Sequence, residues 1–182
     1  VGNAEDDMVR DLDGAIGEGW GGEQQLTGSH VNVILARRGS VTAAALLTAF
    51  AQPSPGHTPV LACVGGHETK YEPIWPPLVM MNKATAVTEA HQTMTWGAAQ
   101  LGLGQGTLDA VADGIIEATD EYIVFAAVWV NAGATDETAI RKANRAAIRK
   151  AIEMAVKGRD PVAAQRLVDE RDALTSPFYS GE

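Results

Sequence analysis

The 182-residue chain reads as one mixed α/β or α+β domain with four or five strands and four or five helices. Three stretches carry this reading. Residues 122–130, YIVFAAVWV, form a long apolar run rich in β-branched and aromatic residues, as a central strand requires. Ile140, Ala147, Ile148, Ala151, Ile152 and Ala155 recur at helical spacing and predict a long helix with one buried side. Residues 31–40, VNVILARRGS, lead an apolar strand into a turn and a serine suited to cap a helix.

The elements follow in order. Residues 1–15 hold Glu5, Asp6, Asp7, Asp11 and Asp13 and read as a solvated acidic arm, with the folded domain at 16–182. Val31–Ala36 is a strand, closed by Arg37-Arg38-Gly39. Ser40 caps a helix over 41–52, and PSPG at 53–56 is a turn. Thr58–Val64 reads as a buried strand. The prolines of GGHETKYEPIWPP (65–77) argue for an irregular loop. Leu78–Met81 is a short strand. A helix over 87–101 is expected to break at Gly102, Gly104 and Gly106. A second helix is expected on the stripe Leu108, Val111, Ala112, Ile115 and Ile116. After the 122–130 strand, Thr135 is expected to cap the long helix, with Asp136 and Glu137 facing its dipole, and Gly158 to stop it. Asp160-Pro161 starts one more helix, and SPFY (176–179) closes the chain.

Composition excludes some classes of partner. With 46% hydrophobic and 20% charged residues, the chain has an ordinary globular balance. A net charge of −9 disfavours nucleic acid and anionic membranes, which need basic surface. No apolar run reaches membrane-spanning length. The start VGNAEDDMVRDLDG has no hydrophobic segment and does not read as a signal peptide; it also lacks an initiator Met, which leaves a removed leader open. The single cysteine, Cys63, lies in VLACV and reads as a buried core thiol.

Few motifs suggest chemistry on their own. GLGQG (102–106) lacks the second spacing of a dinucleotide loop and follows a helix, so it reads as a helix break. His57, His67 and His91 are scattered, with no HExxH and no paired cysteines, so no metal is expected. No GxSxG elbow is present. His30, at the mouth of the 31–36 strand, is by itself compatible with a surface or structural role.

Several ordered segments together resemble the formaldehyde-activating enzyme family. IGEGWGG (16–22) is similar to its VGEALVGDG, and His30 stands where the family has the histidine of its AHIDL strand. ARRGS (36–40) matches the turn that follows. GHTPVLACV (56–64) resembles GHTPLLAVI, NKAT (82–85) resembles PKVT, and WGAAQ (96–100) resembles FGPAQ. ADGIIE (112–117) and TSPF (175–178) match AEGII and THPF. The resemblance implies a two-layer α/β sandwich with one mixed sheet covered by helices, like a domain of a ribosomal protein. It also implies a cytoplasmic homopentamer with sites between neighbouring subunits. The implied reaction, a carbon–nitrogen lyase activity in one-carbon metabolism, condenses formaldehyde with tetrahydromethanopterin, a co-substrate, to methylene-tetrahydromethanopterin. By the same resemblance His30 is the acid, and Asn32, Leu61, Lys83, Thr85 and Gln100 surround the ligand. An imidazole suits the proton donation that expels water from a carbinolamine near neutral pH.

The chain departs from the family at several places. Asn32 stands where the family has Asp, and residues i and i+2 of a strand share a face, so Asn32 should lie beside His30. A charge about 4 Å away is worth roughly 4 kcal/mol at an effective dielectric of 20, so losing half of it would slow the step about thirtyfold. The 65–77 loop, with His67, Tyr71 and Trp75, is longer than the family's. Asn131 replaces the histidine of VFIH, and ANRAA (143–147) replaces YNYEA. Two readings stand: an active lyase, or a pterin- or formaldehyde-binding carrier or sensor that has lost the acid at position 32. A third is an enzyme for another pterin or aldehyde.

Overall fold

The computed structural model describes residues 11–176 and Gly181. Residues 1–10 of the expected 1–15 arm, and 177–179 of the SPFY ending, therefore lie outside the described residues. A five-stranded mixed sheet packs one face against two long helices, which is the two-layer α+β arrangement expected. Its strands are β1 (Ala15–Gly21), β2 (Ser29–Arg37), β3 (Val60–Leu61), β6 (Leu78–Asn82) and β7 (Tyr122–Val130), in the order β1-β2-β7-β6-β3. All neighbours are antiparallel except β6 and β7. A separate ribbon pairs β4 (Cys63–Val64) with β5 (Glu72–Pro73). The helices are α1 (Val41–Phe50), α2 (Glu89–Gln92), α3 (Gln100–Ala112), α4 (Glu137–Lys157) and α5 (Pro161–Asp169). No helix among the described residues is long and apolar enough to cross a membrane.

The core forms because period 2 meets period 3.6. Val31, Val33 and Leu35 of β2 and Val124, Ala126, Val128 and Val130 of β7 point to the helices. The expected stripe of α4 faces them, extended by Ala143 and Asn144. Asn144 is buried with both side-chain polar atoms satisfied: it accepts from Ser29 Oγ (2.8 Å) and donates to the Ile140 carbonyl (2.8 Å). The helix ends as expected at Gly158, whose φ is +77°. Its N-cap is Asp136 rather than Thr135: the Asp136 carboxylate accepts from the Ala139 amide at 2.9 Å. An ionised cap at the positive end of the dipole outcompetes a hydroxyl.

The structure corrects the reading of the glycines. Gly102, Gly104 and Gly106 do not break a helix; they lie inside α3, which a wide π-type turn (Thr93–Ala99) joins to α2. A Cβ on Gly102 or Gly106 would lie 2.2 Å from the carbonyl oxygen of Arg141 or Arg145. These glycines let α3 and α4 touch along their backbones, and that contact outweighs the propensity cost of glycine. The helix stops at Ala112, so Ile115 and Ile116 lie beyond it and the stripe expected over 108–116 is not one helix face. The segment at 58–64 is not one buried strand: it divides at Ala62 into β3 and β4, and Leu61 is 44% exposed. Within the expected 65–77 loop lie a 3₁₀ turn (Glu68–Lys70) and β5. Cys63 is half-buried rather than buried.

Strand β1 was not expected from the sequence, because IGEGWGG carries too many glycines to score as a strand. Those glycines are its purpose. Cβ atoms on Gly17, Gly19 and Gly21 would lie 1.8, 2.1 and 1.9 Å from the carbonyl oxygens of Ala151, Ala147 and Ala143. A glycine row thus seats the strand on an alanine row of α4. Asp11 and Asp13, assigned to a solvated arm, are tied down. Asp13 accepts from the Arg37 amide, Ser40 and Thr42, and the Arg37 amide bond foremost among these holds its carboxyl below the usual range.

Candidate active site

The other face of the sheet is only partly covered. Helix α1 closes one end of it over Ile34, Val79 and Phe125. Register then places the rest in rows across the strands. Ile16, Ile34, Phe125, Val79 and Leu61 form one row; Glu18, Asn32, Ala127 and Met81 the next; Trp20, His30 and Trp129 the third. Lys83, just past β6, is held over β7 by its amide, which donates to the Val128 carbonyl at 2.7 Å.

Four polar side chains converge between the last two rows. Lys83 Nζ lies 2.7 Å from His30 Nδ1 and 2.7 Å from Asn32 Oδ1. His30 Nε2 lies 2.7 Å from Glu18 Oε2. Burial, the larger influence, pushes the Lys83 ammonium below the ordinary lysine range, and the negative charge of Glu18 works against that. The Trp20 ring centroid is 6.5 Å from that of His30 and 6.0 Å from Trp129, onto which it stacks. Its indole N–H is engaged by the Gly22 carbonyl at 2.9 Å. Beneath Asn32 a cavity of about 210 Å³ extends under α1, lined by Ile34, Leu46, Phe50, Val79 and Phe125. The arrangement therefore offers proton donors beside a small apolar recess.

Of the six residues expected at the site, the structure brings His30 and Asn32 into contact with Lys83. Thr85 lies two residues past Lys83, and its hydroxyl is 3.0 Å from His57 Nε2. Leu61 lies on the same sheet face but two rows and three strands from His30, on the order of 20 Å by ordinary sheet spacings. Gln100 belongs to a different neighbourhood. Its Oε1 accepts from the Cys63 amide and the Tyr71 hydroxyl, both at 3.0 Å, and its Nε2 donates to the Trp96 carbonyl at 2.6 Å. Glu18 was not anticipated. The signal was present in the alternation G-E-G-W, which puts Glu18 and Trp20 on the face opposite the glycines.

The comparisons with known proteins show the family. The family model described as formaldehyde-activating enzyme matches residues 16–179. The chain belongs to the formaldehyde-activating enzyme family. Among relatives, the chain is 28% identical over 152 residues to a protein of Methanosarcina barkeri named 5,6,7,8-tetrahydromethanopterin hydro-lyase, covering 82% of each. It is 34% identical over 154 residues to the bifunctional enzyme Fae/Hps of Archaeoglobus fulgidus, covering 82% of this chain and 37% of that protein. A bifunctional enzyme Fae/Hps of Methanococcoides burtonii is 28% identical over 132 residues, 71% of this chain and 32% of that one. The chain thus spans about a third of the length of these bifunctional relatives and most of the hydro-lyase. The matched span takes in the whole sheet from Ile16 and every residue of the polar cluster.

Proposed function

We propose that this family member is a lyase that condenses formaldehyde with tetrahydromethanopterin to methylene-tetrahydromethanopterin. The observation that carries the reading is the contact of Lys83 Nζ with both His30 and Asn32. The name of the hydro-lyase relative, aligned along 82% of its length, supplies the substrate class.

The chemistry then divides among these side chains. A pterin nitrogen adds to formaldehyde; the new C–N bond forms as the carbonyl electrons move to oxygen, which takes up the proton that the nitrogen gives up. The carbinolamine loses its hydroxyl as water when His30 gives that oxygen a second proton, and the nitrogen lone pair forms the C=N⁺ bond. The second pterin nitrogen closes on that carbon and releases a proton, which replaces the one that Lys83 passes to His30. Lys83, in contact with Nδ1, re-supplies the imidazole, and Asn32 orients the ammonium. Holding both partners in one orientation supplies much of the gain, because the adduct also forms in solution. The apolar recess below Asn32 suits part of a flat heterocycle. Leu61 and Gln100 serve the same ligand from a neighbouring subunit, because one chain holds them apart from His30. The partners are therefore small molecules and further copies of this chain.

The test is a stopped-flow condensation assay. The wild type is expected to exceed the spontaneous rate, and His30→Ala to lose about 100-fold or more of the acceleration, as expected for removal of a general acid. A wild-type protein that binds the pterin calorimetrically and leaves the rate at its spontaneous value is instead a carrier or sensor.

A further inference from the structure

His30 has two ring nitrogens and two partners, Lys83 Nζ at Nδ1 and Glu18 Oε2 at Nε2, each at 2.7 Å. An ammonium can only donate and a carboxylate can only accept, so the two contacts select one tautomer, with the proton on Nε2. The geometry points to Glu18 as a positioning residue: its carboxylate orients the Nε2 proton of His30, the one the imidazole gives up to substrate, and leaves Nδ1 as the acceptor for Lys83. Position 18 is well built for this. Gly17 and Gly19 on either side seat the β1 backbone against α4, so the Glu18 side chain stands on the opposite face from a fixed base. Glu18 is in register with Asn32, one row from His30, and Trp20 flanks the imidazole within the row of His30 itself.

The same carboxylate sets the charge balance at Lys83. The groups facing the ammonium are Glu18 from β1 and His30 and the neutral Asn32 from β2. The β7 residues paired with them, Ala127 and Trp129, carry no charge. His57 is engaged by the Asn82 carbonyl and Thr85. With Asn at position 32, Glu18 is the acidic group acting on this lysine among the described residues, and it offsets part of the burial that disfavours its charge. Removing Glu18 therefore lets Lys83 lose its proton at lower pH. Asn32→Asp, which puts a carboxylate on Nζ, moves the titration the other way.

The inference takes its catalytic meaning from the proposed function but is tested without it. Imidazole ¹⁵N shifts of labelled protein, assigned by difference with His30→Gln, read the tautomer; the ¹³Cε shift of Lys83 reads its titration. The wild type is expected to show His30 with Nε2 protonated. Glu18→Ala is expected to mix the tautomers and lower the midpoint of Lys83. Glu18→Gln, which keeps an acceptor oxygen but no charge, is expected to lower the Lys83 midpoint while largely preserving the tautomer. In the condensation assay Glu18→Ala is expected to lower kcat about tenfold or more with a smaller change in KM, and Glu18→Gln to recover part of it. An unchanged His30 pattern and Lys83 midpoint in Glu18→Ala overturns the inference. The expected shifts in a protein that never accelerates condensation uphold the positioning role and overturn the proposed function.

Discussion

Lys83 joins the site by the longest reach and is held in the least comfortable state. Its ammonium spans from the end of β6 to two residues of β2, and burial disfavours the charge it carries there. The folded-state pKa lies below the unfolded one, so between the two values the unfolded chain binds more protons and stability rises with pH. Lys83→Met removes that titration. Its denaturant midpoint is expected to lose the wild-type rise on the alkaline side, while the condensation rate falls about tenfold or more. In the wild type the rate is expected to decline with rising pH at lower values than an ordinary lysine, near 10.4, would give. A decline set at the ordinary value would mean that the ammonium does not reach the buried contacts. At this scale the sequence made half the site legible. His30 and Asn32 are two apart on a strand and must share a face, and the resemblance brought Lys83 to them. Glu18 stayed hidden because its strand did; a residue's face cannot be assigned before its element is recognised.

At the scale of elements, the glycines separate what was legible from what was not. The patterns of β2, β7 and α4 state their own burial, since apolar residues recur at the period of the element. Strand β1 and helix α3 do not, because what they bring to the core is backbone. Their glycines reveal themselves only against a partner more than a hundred residues away for β1, and about forty for α3. Gly19→Ala is expected to destabilise the fold by about 3 kcal/mol or more, since the new methyl meets the Ala147 carbonyl and backbone has little room to yield. The strand would move with it, so Glu18 and Trp20 would leave His30. Gly97→Ala is the matched control. A Cβ there meets nothing within 4 Å, and the helical preference of alanine is expected to stabilise by up to about 1 kcal/mol. Chemical denaturation of both variants checks the pair. Similar losses at the two positions would mean that glycine acts here through flexibility rather than close packing.

At the scale of the molecule, one chain exposes an apolar sheet face and divides the expected ligand residues between two places. Ile16 is 67% exposed and Leu61 44%, beside Trp20 and Met81, so this face leaves apolar surface open to solvent, as the proposed assembly requires. His30, Asn32 and Lys83 sit at one end of it; Leu61 lies at the far edge strand and Gln100 behind the β4–β5 ribbon. If each working site takes its acid from one subunit and Leu61 from the next, two dead variants repair each other. His30→Ala and Leu61→Asp are each expected to be inactive alone and to fold, since both side chains are partly exposed. Mixed by co-expression in equal amounts in a ring, half the acids and half the leucines are intact, so about a quarter of sites are whole and about a quarter of the wild-type activity returns. A site contained in one chain gives no recovery, because every chain in the mixture carries a lesion. Light scattering on the same samples gives the assembly directly, and a species of about 19 kDa, the mass of one chain, would remove the interface on which the recovery depends.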